Sequence, residues 1–326
     1  MKLIVQIPCF NEEASLARTL EDIPREIPGV DRVEILIIDD GSTDHTARQA
    51  ALLGVDHIVS HKQNQGLARA FRTGLEASLQ AGADLIVNTD ADNQYAGSDI
   101  PRLIAPILQG QADMVIGDRQ TQQLPHFSGL KKRLQRIGSA VVRQLSGVDV
   151  PDAVSGFRAF SREAAIQLNI LSSFSYTIET LIQAGKRNLT VCSIPVATRP
   201  TERPSRLFRS VPQFIQNSVL TMVRTYAMYK PLRVFFYIGL VLIVVGSIPI
   251  LRFLAFYLLG DGGGHIQSLL LGTMLVSMGA FTWLIGLVAD LISFNRQLLE
   301  MTLERVRRLE LERTATPPDR EGRDLP

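Results

Sequence analysis

Short apolar runs alternate with segments of helical periodicity over the first 120 residues of the chain. The apolar runs have the length of buried strands and cover residues 3–7, 34–38, 57–60, 85–87 and 114–116. The segment 66–80 shows the helical spacing most clearly, with an apolar side formed by Ala68, Phe71, Leu75 and Leu79. Strands that alternate with helices predict an α/β fold with a mostly parallel sheet.

Two much longer apolar stretches follow in the second half of the chain. Residues 234–251 contain no charged side chain over 18 positions, and residues 266–289 contain none over 24. A helix needs about 20 apolar residues to cross the hydrocarbon core of a bilayer. We therefore predict a hairpin of two transmembrane helices, at about 234–259 and 266–290, joined by a glycine-rich turn. Pro249 lies within the first stretch and Arg252 directly follows it, and the alternative interpretation of this stretch is a buried core helix.

Basic residues flank the predicted hairpin. Lys230 and Arg233 precede the first helix, and Arg296, Arg305 and Arg307 follow the second. Because positive residues stay on the cytoplasmic side, we expect a multi-pass inner-membrane protein whose large N-terminal part and both termini are cytoplasmic. The N-terminus becomes polar too soon for a signal peptide.

We divide the chain into four parts. They are a globular domain (1–210), a basic amphipathic segment (211–232), the hairpin (233–295), and a cytoplasmic helix with a disordered tail (296–326). Between residues 199 and 233 there are seven basic side chains and one acidic one. With apolar residues at helical spacing, such a segment suits the surface of an anionic leaflet. The alternative is a solvated helix on the domain surface.

The composition excludes several classes of protein. The 326 residues carry 34 Lys and Arg against 32 Asp and Glu, so bulk charge does not indicate a nucleic-acid partner. The two cysteines, Cys9 and Cys192, are too few and too distant for a disulfide framework or a structural zinc cluster. We expect a reducing, cytoplasmic environment.

Acidic and polar residues follow three of the predicted strands. Asp90 and Asp92 stand directly after the fourth apolar run, and two carboxylates at that spacing can share Mg²⁺ or Mn²⁺, with Gln94 as a further oxygen ligand. Alone, such a pair is more often a solvated turn. Here Asp39 and Asp40 follow a second strand, and residues 8–12 follow the first. Because ligands bind beyond the carboxyl ends of parallel strands, we predict one cleft there.

The glycine patterns of dinucleotide-binding and P-loop proteins are missing from the sequence. A metal ion would take over the neutralisation of a diphosphate.

Six ordered motifs resemble those of the family 2 glycosyltransferases with the GT-A fold. They are PCFNEE (8–13), IDDGSTD (38–44), NQGLARA (64–70), TDADNQ (89–94), DAVSGFRAFSR (152–162) and RPSRLF (203–208). The resemblance is narrower still to polyprenyl-phosphate glycosyltransferases, namely the dolichyl-phosphate mannose synthases and the bacterial undecaprenyl-phosphate glucosyltransferases. It covers residues 1 to about 210. Phe10 replaces a commoner tyrosine, and Ser139 stands where asparagine is frequent.

The resemblance implies a role for each matching residue. The nucleotide would be held by Pro8, Phe10, Glu12, Asp39, Asp40 and Asp90. The metal would be bound by Asp90, Asp92 and Gln94. The acceptor phosphate would meet Arg119, Arg136, Arg203 and Arg206, whose planar guanidinium groups suit phosphate. Asp152 would face the acceptor as a catalytic base or as an orienting group, and the sequence leaves both open.

The implied reaction moves a sugar from a nucleotide sugar to polyprenyl phosphate with inversion at the anomeric carbon. Resemblance favours UDP-glucose as donor and undecaprenyl phosphate as acceptor, with GDP-mannose as the alternative donor. The cofactor would be Mg²⁺ or Mn²⁺. The other expected partners are the bilayer and further copies of the chain in a homo-oligomer.

Three other functions compete with this one. A processive polysaccharide synthase would carry a Gln-x-x-Arg-Trp motif, but the single tryptophan, Trp283, lies in a predicted span. Two spans are also few for a translocation channel or for a flippase of the glycolipid. A non-catalytic membrane scaffold would not need the intact pair Asp90 and Asp92.

Overall fold

The computed structural model describes residues 1–121, 129–170, 176–199, 230–260 and 265–315, together with the single positions 216, 220 and 226. The chain divides into two compact units. The first comprises residues 1–222 and 304–326, and the second comprises residues 223–303.

The first unit is built on a seven-stranded mixed sheet with the order β3-β2-β1-β4-β6-β5-β7. The strands are β1 (Lys2–Cys9), β2 (Arg32–Asp39), β3 (His57–Ser60), β4 (Leu85–Asn88), β5 (Met114–Asp118), β6 (Arg158–Ser161) and β7 (Val191–Pro195). Only β6 runs antiparallel to its neighbours, β4 and β5. The carboxyl ends of β1, β2 and β4 therefore meet at one edge.

Helices connect the strands of this sheet. They are α1 (Leu16–Glu21), α2 (Thr46–Leu52), α3 (Leu67–Gln80), α4 (Ile100–Leu108), α5 (Gly129–Ser146), α6 (Arg162–Gln167) and α7 (Tyr176–Lys186). The central strand β1 is buried on both faces, since Leu3, Val5 and Ile7 and also Ile4 and Gln6 have 0% exposure. Burial on both faces explains why residues 3–7 are apolar apart from Gln6.

The five predicted strands are all present, and the predicted mixed α/β fold is confirmed. The last two strands were not predicted. Strand β6 has four residues and begins with a buried arginine, so it shows neither an apolar run nor an alternating pattern. Strand β7 lies at the edge of the sheet and is only partly buried, which weakens its apolar signal.

The described part of the second unit is dominated by two long helices, α8 (Pro231–Leu258) and α9 (Ile266–Ala315), of which α9 ends in the first unit. Both are long and apolar enough to cross a membrane. Large apolar side chains such as Val241, Val244 and Leu284 are more than half exposed along them. Helix α9 continues without a break through residues 297–313, where the sequence predicted a helix that runs on from the second span.

Glycines seven residues apart allow the two helices to touch. A Cβ atom on Gly246 would lie 2.9 Å from the carbonyl oxygen of Gly272, and one on Gly239 would lie 2.8 Å from that of Gly279. Such distances leave no room for any side chain. Small residues at one face let helix backbones approach closely, which is how apolar helices associate in lipid.

The C-terminal end of α9, which belongs to the first unit, packs on α6. Arg307 donates to the carbonyl oxygens of Ile166 (2.8 Å) and Leu168 (3.1 Å), at the end of α6. Arg308 pairs with Glu163 at the start of the same helix. Burial lowers the pKa of Arg307, whereas its bonds to Glu163 and Glu304 raise the pKa of Arg308. These contacts join the C-terminal turns of helix α9 to helix α6 of the sheet domain.

The glycine contacts predict that Gly246→Leu lowers the stability of the hairpin. Overpacking of a tight interface typically costs about 1–3 kcal/mol, so the thermal unfolding midpoint of the full-length protein in detergent should fall. Val244→Leu places the same residue on the same helix at a position that is 56% exposed and should leave the midpoint unchanged. Equal midpoints for the two variants would contradict the packing described.

Candidate active site

The loops that follow β1 and β2 are tied together by side chain to backbone hydrogen bonds. The carbonyl oxygen of the Asn11 side chain accepts from the amide of Thr43 (2.7 Å), and the Asn11 amide donates to the hydroxyl of Ser42 (2.9 Å). The Glu12 amide donates to the hydroxyl of Thr46 (2.8 Å). Asn11 has a φ of 56°, which asparagine tolerates better than most residues. The motifs around residues 11 and 43 thus form one structure.

Asp39 and Asp40 are both buried at the end of β2. Asp39 accepts a bond from the amide of Ser42 (3.0 Å). Asp40 accepts from the amides of Gln65 (2.9 Å) and Gly66 (2.8 Å), and it also bonds His61 (2.7 Å). Its carboxylate therefore shapes the loop that leads into α3.

The Asp90–Gln94 turn follows β4 at the same edge. Its acidic and amide side chains are partly exposed, and Asp92 accepts a hydrogen bond from the amide of Gln94 (3.1 Å). Asn93 has a φ of 56°, in the left-handed region. Asp90 and Asp92 therefore stand on one short loop directly after β4.

A second loop, residues 152–157, lies against this turn at Gly156. The amide of Gly156 donates to the hydroxyl of Tyr95 (3.1 Å), and its carbonyl accepts from the side chain of Asn88 (2.8 Å). A Cβ atom on Gly156 would lie 3.1 Å from both carboxylate oxygens of Asp90 and 2.9 Å from the hydroxyl of Tyr176. Only glycine lets the loop approach Asp90 so closely.

Arg119 and Asp152 form an ion pair beside this loop. Nε of Arg119 donates to Oδ2 of Asp152 (2.7 Å), and Nη2 donates to Oδ1 (3.0 Å). Asp152 is 1% exposed and Arg119 is 15% exposed. Burial acts to lower the pKa of Arg119, but Tyr95 and the carboxylate of Asp152 outweigh it, and the pKa lies above its ordinary value. The sequence assigned these two residues separately, and the structure brings them together.

Arg158 holds the same loop from within the core. Its side chain is fully buried and donates to the carbonyl oxygens of Ala153 (2.8 Å) and Ser155 (2.8 Å). It also donates to α7, at the carbonyl of Thr177 (2.8 Å) and the hydroxyl of Thr180 (2.6 Å). Burial lowers the pKa of Arg158 to about 10, so the group is still a cation at neutral pH.

The acidic turn fits a hard divalent cation that also binds a substrate. Among the residues that the structure describes, no cluster of three His, Cys, Asp or Glu side chains could hold a metal ion by itself. Mg²⁺ typically takes one or two carboxylates together with substrate phosphates. Asp90 and Asp92, with the amide oxygen of Gln94, provide such a partial set of ligands. We therefore regard this turn as the place where a metal would be held.

Some of the other predicted site residues lie near the strand ends, and others do not or lie outside the described residues. Pro8 and Glu12 are buried beside the first strand end, and Phe10 is partly exposed there. Arg136 lies exposed on α5. Arg203, Arg206 and nearly all of the basic segment 211–232 lie outside the residues that the structure describes.

Several residues that build the site were not predicted. Asn88, Tyr95 and Tyr176 surround the Gly156 peptide, and Arg199 contacts the acidic turn. The sequence analysis grouped Arg199 with the basic segment because of its neighbours in the chain. Buried polar residues such as Asn88 carry a signal, since a polar side chain at the end of an apolar strand needs a partner.

The family described as glycosyl transferase family 2 matches residues 4–168, which is half of the chain. The chain therefore belongs to the glycosyl transferase family 2.

Two relatives and one solved structure extend this result. The chain is 30% identical to the UDP-N-acetylglucosamine–dolichyl-phosphate N-acetylglucosaminyltransferase of Methanococcus voltae, over 60% of this chain and 85% of that one. It is 26% identical to the undecaprenyl-phosphate mannosyltransferase of Micrococcus luteus, over 60% and 83% respectively. Glucosyl-3-phosphoglycerate synthase from Mycobacterium tuberculosis, solved with Mn²⁺, UDP-glucose and phosphoglyceric acid, has a TM-score of 0.52 at 25% identity. That match covers 69% of this chain and 78% of the synthase. The predicted family and the predicted GT-A type of fold are confirmed.

The contact between Gly156 and Asp90 predicts that Gly156→Ala impairs glycosyl transfer in a folded protein. The added methyl group must displace the Asp90 carboxylate or Tyr176, and a small displacement of a positioned group can reduce the rate about 100-fold. Initial rates of sugar transfer with saturating substrates measure this. Gly138→Ala adds the same methyl group on α5, at a position where the methyl would point into open space. This control should retain the wild-type rate, and full activity of Gly156→Ala would refute the steric argument.

Proposed function

We propose that the protein transfers a hexose from a nucleotide sugar to polyprenyl phosphate with inversion of the anomeric carbon. UDP-glucose is the proposed donor and undecaprenyl phosphate the proposed acceptor. The observation that carries this proposal is the contact between two loops: the acidic turn at Asp90 and the loop that carries Asp152 and binds Arg119. It is supported by the family membership and by relatives whose names specify lipid-phosphate acceptors.

The donor would occupy the edge formed by the ends of β1, β2 and β4. In this proposal Phe10 and Asp39 contact the nucleoside, while Asp40 shapes the loop around it through Gln65 and Gly66. Asp90, Asp92 and Gln94 hold a divalent cation against the donor diphosphate. When bound, such a cation supplies Lewis-acid stabilisation of the charge on the leaving nucleotide.

The acceptor phosphate would meet Arg119. A guanidinium has five N–H donors, and the two bonds to Asp152 leave others for a phosphate. Because Asp152 holds the guanidinium through two parallel bonds, the plane of Arg119 is set before the acceptor arrives, which reduces the cost of ordering it. Arg136, Arg203 and Arg206 would add positive charge around the lipid phosphate.

We assign Asp152 an orienting role rather than that of a general base. Both of its carboxylate oxygens accept hydrogen bonds from Arg119, and the group is buried. A phosphate monoester is already largely ionised at neutral pH, with a second pKa of about 6, so its oxygen can attack without help from a base. What the chain must provide is alignment of that oxygen with the anomeric carbon.

The relatives are named for the transfer of more than one sugar. One relative is named for UDP-N-acetylglucosamine and another for mannose transfer. GDP-mannose therefore stands as the second donor.

We further propose that α8 and α9 cross the inner membrane with the sheet domain on the cytoplasmic side, where nucleotide sugars are available.

The function is tested by incubating the full-length protein in undecaprenyl-phosphate proteoliposomes with radiolabelled UDP-glucose or GDP-mannose. We expect a labelled lipid monophosphate sugar and release of the nucleoside diphosphate. A lipid diphosphate product, or no transfer from any nucleotide sugar, would overturn the assignment.

The acidic turn predicts a divalent-metal requirement. Asp92→Asn removes one anionic ligand, so turnover should fall at least about 100-fold, and EDTA should abolish the activity of the wild type until Mn²⁺ or Mg²⁺ is restored. Asp149→Asn changes an aspartate that is 93% exposed and should leave the rate unaltered. Full turnover by the wild type in EDTA would remove the metal from the mechanism.

The arginines of the RPSRLF motif (203–208) predict a separate effect on the acceptor. Arg206→Ala should raise the apparent KM for undecaprenyl phosphate about tenfold, because a charged hydrogen bond contributes about 1.5–3 kcal/mol, while the KM for the nucleotide sugar changes little. Arg25→Ala, at a surface pair with Asp56, serves as the control. A rise in the donor KM instead would assign Arg206 to the donor site.

A further inference from the structure

Arg199 connects three parts of the first unit that are distant in sequence. Its Nη1 donates to the side-chain oxygen of Asn93 (2.6 Å), and its backbone amide donates to the carbonyl oxygen of Gln94 (2.8 Å). Its Nη2 lies 3.1 Å from both carboxylate oxygens of Asp22, just after α1. The guanidinium therefore joins the acidic turn to a fixed point at the end of a helix.

Asp22 holds the other end of the same segment. Its carboxylate accepts a hydrogen bond from the amide of Gly97. Residues 93–97 are thus bracketed, with Arg199 on Asn93 and Gln94 at one end and Asp22 on Gly97 at the other. The Arg199–Asp22 ion pair closes this bracket.

The chain around Arg199 runs antiparallel to the segment that follows the turn. Thr198 forms a β-bridge with Tyr95, and the amide of Ala197 donates to Asp99 (2.7 Å). Tyr95 in turn binds the Gly156 peptide beside Asp90. A displacement of residues 197–199 would therefore move the acidic turn that carries Asp92. It would also move Tyr95, and through the Gly156 peptide it would reach Asp90.

We propose that Arg199 is a positioning residue that holds the Asp90–Gln94 turn in the geometry that binds a metal–nucleoside diphosphate complex. The inference rests on the proposed function, since it assumes that this turn binds the metal. Asn93 sits at a positive φ, a conformation that costs energy for a residue other than glycine. The bonds from Arg199 to residues 93 and 94 compensate for this cost and keep the two aspartates together.

The test is the affinity of the full-length protein in detergent for UDP or GDP, whichever the wild type binds more tightly, measured by calorimetry with Mn²⁺ and again with EDTA. With Mn²⁺, Arg199→Ala should raise the Kd about tenfold, since the lost bonds join charged groups. With EDTA the variant and the wild type should bind equally. With Mn²⁺, the Kd of Arg199→Lys should lie between the values of the wild type and of Arg199→Ala. The single ammonium group of lysine replaces the planar guanidinium that reaches both Asn93 and Asp22.

Arg102→Ala is the matched control. Arg102 is 59% exposed, compared with 42% for Arg199, and it also bonds an aspartate and the region after β7, through Asp99 and the carbonyl of Pro195. None of its hydrogen-bond partners belongs to the Asp90–Gln94 turn, so the Kd should be that of the wild type. The thermal unfolding midpoints of the Arg102 and Arg199 variants should agree.

A double-mutant cycle with Asn93→Gly completes the experiment. Glycine tolerates the positive φ, so this change removes the side-chain partner of Arg199 without adding strain. The effects of Arg199→Ala and Asn93→Gly on the Kd with Mn²⁺ should be less than additive. An unchanged Kd in Arg199→Ala, or an equal loss with and without Mn²⁺, would overturn the inference. A wild type that binds neither nucleotide would instead refute the proposed function.

Discussion

The site depends on a positive charge placed where water does not reach it. Removing a cation from water is unfavourable unless its N–H groups find acceptors, and Arg158 finds four of them in neutral oxygens of the 152–157 loop and of α7. These bonds bind the loop to the body of the domain at Ala153 and Ser155. Asp152 adjoins Ala153, and Gly156 adjoins Ser155. The Arg158 side chain therefore holds both Asp152, which pairs with Arg119, and Gly156, which contacts Asp90.

A chain of neutral hydrogen bonds extends this support across the sheet. The side chain of Gln6 in β1 donates to Asn88 in β4 (2.9 Å), and Asn88 donates to the Gly156 carbonyl (2.8 Å) and to Tyr176 (3.0 Å). Tyr176 in turn stacks on Phe71 of α3, with ring centroids 3.9 Å apart. Buried polar networks hold one arrangement because each unpaired member would be costly. Hydrogen bonds from the core therefore hold the 152–157 loop, and Arg199 holds the Asp90–Gln94 turn.

The two long helices associate through close backbone contacts at glycines rather than through polar networks. Between apolar helices in lipid there is no hydrophobic force to drive association, and close backbone contact replaces it. Gly239 and Gly246 face Gly279 and Gly272 at the heptad spacing that keeps one side of each helix in contact. Exposed leucines, valines and isoleucines cover the rest of the surface, as expected of helices surrounded by lipid.

The sequence by itself determined the class of fold, the five apolar strands, the two long helices and the position of the acidic turn. These features are local, because strand and helix periodicity and the residues that follow a strand are visible in a short window of sequence. Only the tertiary structure decided which residues meet. Arg119 and Asp152 lie 33 positions apart, Asn88 and Tyr176 lie 88 apart, and Arg199 and Asp22 lie 177 apart. Strand β6 was missed for the same reason, because its place in the sheet depends on pairing with β4 and β5. Its first residue, Arg158, can be buried because oxygens of the 152–157 loop and of α7 accept its hydrogen bonds.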